Sequence, residues 1–252
     1  MMDSEERKIS LEAKDLHLCY GKKTILTDLS FELFEESCLV IMGSSGCGKS
    51  TLLKALTGLL KPASGMVRFE NGDLWGRGAL PNELVLSNFG VLFQAGALWS
   101  SMNLLENVSL PLEVFSELNK KEIEAMASYK LGLVGLSGCE YLYPSELSGG
   151  MQKRAGLARA LSMDPSILFL DEPSAGLDPI NSRQLDELIL ELKHSLGITF
   201  VVVTHELDSI FTIADDALFL SGVEKKLLER GNPNELKVSS AFQEVKNFLN
   251  RK

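Results

Sequence analysis

The sequence predicts an α/β fold built on a buried parallel sheet, with a helical subdomain inserted into the chain. Short apolar runs of strand length, such as 167–170 and 199–203, alternate with segments of helical periodicity, which is typical of parallel strands covered on both faces. A glycine-rich turn follows another such run at 38–42. Between 95 and 162 the apolar residues recur at helical spacing instead, which indicates the inserted subdomain.

The other elements follow in chain order from hydrophobic period and turn residues. The segment 11–33, broken by a turn at 21–23, predicts two strands joined as a hairpin. Residues 71–72, Asn-Gly, predict a tight turn after a strand at 65–70. No element is predicted for 73–88, and 223–252 is predicted to be a polar, helix-prone tail. The remaining predictions are strands at 89–93 and 217–220 and helices at 181–196 and 206–214.

The most specific motif is the segment 43–50, which reads Gly-Ser-Ser-Gly-Cys-Gly-Lys-Ser. A strand before it and a helix after it give the context of a phosphate-binding loop, in which converging backbone N–H groups and a helix N-terminus hold the anion. Lys49 supplies a charge for the outer phosphates, and the Ser50 hydroxyl is suited to Mg²⁺. The predicted nucleotide-binding residues of this loop are Gly43, Ser44, Ser45, Gly46, Cys47, Gly48, Lys49, Ser50 and Thr51.

Two acids, Asp171 and Glu172, end the apolar run 167–170. A carboxylate at the end of a buried parallel strand projects into the crevice where such sheets bind ligands. Asp171 can hold Mg²⁺ through water, and Glu172 is then placed to polarise an attacking water. A strand that simply ends in solvated acids is the alternative.

A second candidate anion site lies at 147–152, Leu-Ser-Gly-Gly-Met-Gln. Ser148 is a good N-cap for the helix that follows, and Gly149 and Gly150 permit close approach of the backbone. The helix N-terminus would attract a second anion, whereas an ordinary capped helix is the alternative.

Composition excludes several classes of function. The chain has 252 residues and a net charge of −9 without a long basic block, which disfavours a nucleic-acid partner. The four cysteines are scattered and form no CxxC pair, so a metal site is not expected and a reducing compartment is. Cys47 is either a modifiable thiol or, as we favour, an inert loop residue. No signal peptide or apolar run of membrane-spanning length is present, so a cytosolic chain is expected, with any membrane role exerted through a partner.

Five features of the sequence follow one another in a fixed order: the loop at 43–51, Gln94, the segments 147–150 and 167–172, and His205. In this order and spacing the chain resembles the ATPases of ABC transporters from about residue 10 to 222. The resemblance implies a P-loop ATPase domain of the ABC type with a mixed sheet. It divides the chain into a RecA-like core at 10–94 and 163–222, a helical subdomain at 95–162 and a tail at 223–252. It also implies ATP and Mg²⁺ as ligands, and a head-to-tail homodimer that closes on ATP and reopens after hydrolysis.

The same resemblance implies roles for single residues. Tyr20 would stack on adenine, with an edge-strand tyrosine as the alternative, and Gln94 would touch Mg²⁺ and link the site to a membrane partner. Asp178, in the segment 174–178, would be the acid that crosses the dimer interface. Ser148, Gly149 and Gly150 of one subunit would close over ATP on the other. The implied catalytic residues are Glu172, His205 (as the switch histidine on the γ-phosphate) and Lys49, and the implied metal ligands are Ser50, Gln94 and Asp171.

The chain also resembles the ATPases of MCE-type lipid transporters, the Mla group. Four segments carry this resemblance: 93–108, 144–151, 178–180 and 205–211. That resemblance implies a membrane permease partner (MlaE-like), an indirect MCE-domain partner that carries phospholipid across the bacterial envelope, and a peripheral position on the cytoplasmic face of the inner membrane. Trp99 stands where Phe is more usual, and it either faces the permease or packs inside the helical subdomain. The alternatives are another transported cargo, such as lipoprotein or amino acid, and a non-transport ABC protein of DNA repair or the ribosome.

Overall fold

The computed structural model describes residues 8–70, 72–76 and 80–251. Asn71 of the predicted tight turn and residues 77–79 lie outside the described residues. The strands of the described part are β1 Ile9–Tyr20, β2 Lys23–Phe34, β3 Cys38–Met42, β4 Ser64–Phe69, β5 Gly72–Asp73, β6 Phe89–Leu92, β7 Ile167–Asp171, β8 Thr199–Val203, β9 Asp216–Ser221 and β10 Lys226–Gly231.

Six of these strands form the central sheet, in the order β10-β9-β3-β8-β7-β6. Neighbours from β9 to β6 pair in parallel, whereas β10 runs antiparallel to β9. The sheet is therefore mixed, and the predicted fold class is confirmed. Strands β3 and β8 are buried at every position, which explains why their sequences are apolar without alternation.

The helices of the described part are spread along the chain between the strands. Three of them, α3 to α5, lie in the chain between β6 and β7, where the helical subdomain is predicted. Their bounds are α1 Lys49–Leu56, α2 Glu83–Leu86, α3 Leu104–Phe115, α4 Lys120–Leu133, α5 Gly149–Ala160, α6 Pro179–Leu196, α7 Leu207–Ile213, α8 Pro233–Ser239 and α9 Gln243–Leu249, with a 3₁₀ turn at Pro144–Glu146.

A second, antiparallel sheet has the order β2-β1-β4-β5. One buried apolar cluster joins this sheet, α1 and one face of the central sheet, and it includes Leu39 and Ile41 of β3. The other face, with Val40 and Met42, belongs to a cluster shared with the helices α3 to α9. Successive β3 side chains thus enter opposite cores, and the strand that precedes the phosphate loop is fixed from both sides.

The stretch 223–252 departs from the prediction of a helix-prone tail. Helices α8 and α9 are present, but β10 at Lys226–Gly231 adds an edge strand to the central sheet. An edge strand pairs on one side only and needs no apolar run, so the sequence carried no strand signal there. Val245 and Leu249 of α9 are buried in the main core. No helix among the described residues combines the length and the apolarity needed to cross a bilayer.

Candidate nucleotide-binding and catalytic site

The carboxyl ends of four neighbouring parallel strands meet at one edge of the central sheet. Asp171 at the end of β7 pairs with Val203 at the end of β8, and Val203 pairs with Ile41 of β3. Because parallel strands end at the same edge, the loops that follow them converge. The loops after β3, β8, β7 and β6 carry the 43–50 segment, His205, Glu172 and Gln94.

Two glycines give the 43–50 loop its shape. Gly43 has φ +144°, and a Cβ there would lie 2.4 Å from the Leu220 carbonyl oxygen and 2.8 Å from Cys47 Sγ. Gly48 has φ +111°, and a Cβ there would meet Ile25 and Leu26 side chains at 3.0 Å. Both positions thus combine a backbone conformation and a space that favour glycine, and the loop curls tightly enough to form an anion cradle.

The loop presents positive potential from two sources. Helix α1 starts after Gly48 without a side-chain cap, whereas α3 and α4 are capped by Asn103 and Asn119. The first N–H groups of α1 therefore suit an external anion. Lys49 is buried, and its ammonium donates to the carbonyls of Gly43 at 2.8 Å and Ser44 at 3.2 Å. An ammonium has three donors, so one remains for a phosphate oxygen.

Hard oxygen atoms that suit Mg²⁺ lie next to the loop. The Ser50 hydroxyl donates to Asp171 Oδ1 at 3.4 Å, and Gln94 lines the same cleft. Burial, followed by the charge of Glu172, raises the pKa of the Asp171 carboxyl, which the Ser50 hydrogen bond partly offsets. The described residues hold no group of three or more His, Cys, Asp or Glu side chains able to bind a metal. Mg²⁺ bound with a nucleotide needs few protein ligands, because phosphates and water supply the others.

Glu172 and His205 form a close pair at the wall of the cleft. His205 Nδ1 lies 2.8 Å from Glu172 Oε1. The second carboxylate oxygen of Glu172, Oε2, is buried without a protein partner. Glu172 also has φ +48°, and such left-handed backbone in a non-glycine residue is costly and concentrates at functional sites. An unpartnered acceptor in this position fits a bound water molecule.

These groups line one cleft of about 580 Å³. Sequence reasoning missed two of its residues, Ile25 of β2 and Phe248 of α9. Phe248 also contacts Phe219 of β9 edge-on, with ring centroids 5.4 Å apart. The C-terminal helix thus forms part of the wall, and no motif could have revealed it. The lining residues are Ile25, Gly43, Ser44, Ser45, Gly46, Gly48, Lys49, Ser50, Thr51, Gln94, Glu172, His205 and Phe248.

Three predicted site residues, Tyr20, Cys47 and Asp171, do not line this cleft. Tyr20 is at the end of β1 and 47% exposed. Cys47 turns into the core at 2% exposure, and burial raises the pKa of its thiol. This placement fits the inert loop residue rather than the reactive thiol. Asp171 is not part of the lining, but it accepts a hydrogen bond from Ser50, which is.

The segment 148–150 lies away from the cleft of its own chain. Ser148 caps α5 by accepting from the Met151 N–H at 3.3 Å. Asp178 caps α6 by accepting from the N–H groups of Ile180 and Asn181. A Cβ on Gly150 would lie 2.8 Å from Asn181 Oδ1, so the two capped helix ends adjoin. Ser148, Gly149, Gly150 and Asp178 are therefore brought together, but a single chain does not bring them to the phosphate loop.

A buried polar chain supports the segment after Glu172. Ser174 Oγ lies 3.4 Å from Ser209 Oγ, and Ser209 donates to Asp186 Oδ2 at 2.8 Å. All three side chains are buried. Burial raises the pKa of the Asp186 carboxyl to about 6, although the Ser209 hydrogen bond opposes the shift. Helices α6 and α7 are thus tied to the loop that begins at Glu172.

A phosphate loop at the carboxyl edge of a mixed sheet, with an acidic pair at the end of β7, two strands away from β3, defines a P-loop nucleotide-hydrolysing enzyme. The family model described as ABC transporter matches residues 26–175. The chain belongs to this family, and it is the ATPase subunit of an ABC transporter, in which ATP hydrolysis is coupled to transport. The family resemblance stated from the sequence is thereby confirmed.

Named relatives differ in the cargo that their names give. The probable ribonucleotide transport ATP-binding protein mkl of Mycobacterium leprae (strain TN) is 38% identical over 242 residues, which cover 96% of this chain and 69% of that protein. The intermembrane phospholipid transport system ATP-binding protein MlaF of Escherichia coli (strain K12) is 36% identical over 239 residues, covering 95% and 88%. Among solved structures, the dimeric bacterial ABC transporter cassette MJ0796 aligns with a TM-score of 0.77 at 27% identity, covering 88% and 98%. ABC cassettes in general bind ATP with Mg²⁺, dimerise and pair with permeases.

Proposed function

We propose that the cleft hydrolyses ATP with Glu172 as the residue that activates water, and that the energy drives phospholipid transport of the MCE/Mla type. The observation that carries the catalytic part is the Glu172–His205 pair, which leaves Glu172 Oε2 buried and unpartnered. A water molecule that donates to Oε2 would be polarised for attack on the γ-phosphate. His205, held by Oε1, is then in reach of the same phosphate.

The remaining groups of the cleft bind and orient the nucleotide. Lys49 and the N-terminus of α1 hold the outer phosphates. Ser50, Asp171 and Gln94 would hold Mg²⁺, which neutralises charge on the phosphates when it is bound. Their oxygen atoms are of the type that this ion takes. The role of Tyr20 at the adenine stays a proposal, and its exposed ring at the end of β1 is free to stack.

We propose that the site is completed by a second copy of the chain. Ser148, Gly149 and Gly150 form a helix N-terminus suited to an anion, yet they lie outside the lining of their own cleft. In a head-to-tail homodimer they would close over the ATP held by the partner, with Asp178 beside them at the interface. The dimeric structure of the relative MJ0796 supports this arrangement.

The division of the chain also stays a proposal: a core of 10–94 and 163–222, a helical subdomain of 95–162 and a tail of 223–252. The position of α3 to α5 between β6 and β7 supports it. The tail, however, packs closely on the core through β10 and α9.

Phospholipid as cargo rests on the likeness to MlaF along 95% of this chain. The likeness to mkl, which is named for ribonucleotide transport, is equally extensive along this chain but covers less of the relative. In this proposal the permease, and not the ATP site, selects the cargo. We propose an MlaE-like permease, an MCE-domain protein reached through it, and a peripheral position on the cytoplasmic face of the inner membrane.

Exposed aromatic side chains in the helical region support a protein partner. The Trp99 side chain is 57% exposed, and the Trp99 backbone N–H donates to Asn107 Oδ1 of α3 at 2.7 Å. Tyr141 is 76% exposed, and its loop is joined to the first turn of α3 by a 2.9 Å hydrogen bond from Leu104 N–H to the Leu142 carbonyl. Aromatic residues presented in this way are typical anchors of interfaces. This placement favours the alternative in which Trp99 faces the permease.

The proposal is tested by identifying what the chain carries with it from its native membrane. An affinity-tagged Glu172→Gln chain would be extracted in mild detergent, and its bound proteins and lipids identified by mass spectrometry. We expect a multi-spanning permease, an MCE-domain protein and phospholipid, with less permease recovered by a matched Trp99→Ala chain. A different permease without an MCE-domain protein would refute the phospholipid cargo, and ribosomal or DNA-repair partners without a membrane protein would refute the assignment to this transporter.

A further inference from the structure

Lys153 is a buried lysine whose ammonium contacts the backbone of two proposed site residues. It lies on α5, and its side chain is 7% exposed. Its Nζ donates to the Gln94 carbonyl at 2.5 Å and to the Glu172 carbonyl at 3.2 Å. These carbonyls follow β6 and β7, so one side chain joins α5 to the ends of two strands.

Burying the charged side chain of Lys153 to make this connection costs desolvation free energy. Burial lowers the pKa of the Lys153 ammonium, whereas the charges of Glu172 and Asp171 raise it. A buried charge is tolerated when it is hydrogen-bonded and compensated. The two carbonyls and the two nearby carboxylates meet both conditions, so the cation belongs to the electrostatics of the site and not only to its packing.

The position of Lys153 along α5 gives the contact a second meaning. The helix begins at Gly149, and four residues of α-helix span about 6 Å. The N-terminal end of α5 therefore carries the segment 148–150. One turn further along the helix, Lys153 hydrogen-bonds to the carbonyls of Gln94 and Glu172 of the same chain. If 148–150 meets ATP on the partner subunit, α5 touches both sites of the dimer.

We propose that Lys153 is a positioning residue that couples the two ATP sites of the dimer. This inference rests on the proposed function. When ATP on the partner draws in the N-terminus of α5, the helix moves as a rigid element, and Lys153 carries the displacement to the Glu172 backbone. Glu172 has a costly left-handed conformation, so a small shift of its carbonyl re-aims the carboxylate at the attacking water.

The test is the ATP dependence of steady-state hydrolysis by the whole chain, alongside nucleotide affinity measured with a fluorescent ATP analogue. For the parent we expect a Hill coefficient close to two, the number of sites. Lys153→Met should bring the coefficient towards one and lower kcat by up to about 100-fold, the scale of a misplacement of catalytic groups by about 1 Å. Affinity should stay within about twofold, because Lys153 lies outside the cleft lining. Lys153→Arg, which keeps the charge and the donors, should restore cooperativity in part.

Lys130→Met is the matched control. Lys130 is another buried lysine, on α4, and it pairs with Asp164 outside the cleft lining. The Lys130→Met variant should be less stable than the parent, with an unchanged Hill coefficient. The proposal is overturned if the parent is not cooperative, if Lys153→Met keeps the parent's coefficient, or if Lys130→Met loses cooperativity equally. If Lys153→Met does not fold, Lys153→Gln is judged by the same criteria. A parent that hydrolyses no ATP would refute the proposed function itself, which distinguishes the two failures.

Discussion

Asp186 offers a quantitative test of the buried polar chain behind the catalytic loop. The pKa of its carboxyl is raised to about 6 from its ordinary value of 3.8, so between these two pH values the folded protein retains a proton that the unfolded chain releases. The free energy of unfolding should therefore decrease as pH rises from about 4 through 6. At 1.36 kcal/mol per pKa unit, the full loss is about 3 kcal/mol, of which roughly 1 kcal/mol falls between pH 5 and pH 8.

Asp186→Asn removes this titration while the side-chain oxygen still accepts from Ser209. We expect the variant to gain roughly 1 kcal/mol relative to the parent between pH 5 and pH 8, measured by urea unfolding at each pH. Glu191→Gln is the matched control, because Glu191 is an exposed acid on α6, the helix that carries Asp186. A difference between parent and Asp186→Asn that does not change with pH would refute the reasoning.

Three further predictions concern the phosphate loop. Lys49→Ala should weaken ATP binding by roughly 1.5–3 kcal/mol, about 10–150-fold, because it removes charge-assisted bonds to the phosphates, and calorimetric affinity equal to the parent's would contradict this role. Gly43→Ala should destabilise the fold in a thermal unfolding assay by more than about 2 kcal/mol, because its Cβ would lie 2.4 Å from a carbonyl oxygen. Gly46→Ala has no atom within 4 Å of its Cβ, so it should cost only about 1–2 kcal/mol in the same assay. Iodoacetamide should label partly exposed Cys19 well before Cys47, because burial keeps the Cys47 thiol inaccessible and protonated; equal labelling rates by mass spectrometry would show that the loop opens.

The sequence predicted the elements whose signal is local. Strands buried on both faces need continuous apolar residues, so β3, β7 and β8 were visible from composition alone. The phosphate loop was visible because its chemistry requires glycines at fixed spacing between a strand and a helix. Strand β10 was not visible, since the edge position places no demand for apolar residues on 226–231.

Contacts to backbone atoms and between distant elements could not be predicted. Lys153 acts on the carbonyls of Gln94 and Glu172, which are available in any residue type, so no pairing pattern marks it. Phe248 reaches the cleft only because α9 docks on the core. The Glu172–His205 bond depends on the parallel register of β7 and β8, which places their ends side by side.

The site shared between two subunits is tested most directly by the mass of the Glu172→Gln chain with ATP and Mg²⁺, measured by light scattering after size exclusion. We expect a stable species of twice the 27.6 kDa chain mass that retains ATP without hydrolysing it, because the water-activating carboxylate is gone while the cradle is intact. Adding Ser148→Arg to that chain should abolish the dimer but not ATP binding, since Ser148 lies outside its own cleft. A Glu172→Gln chain that hydrolyses ATP at the parent's rate, or that binds ATP as a monomer, would contradict the arrangement.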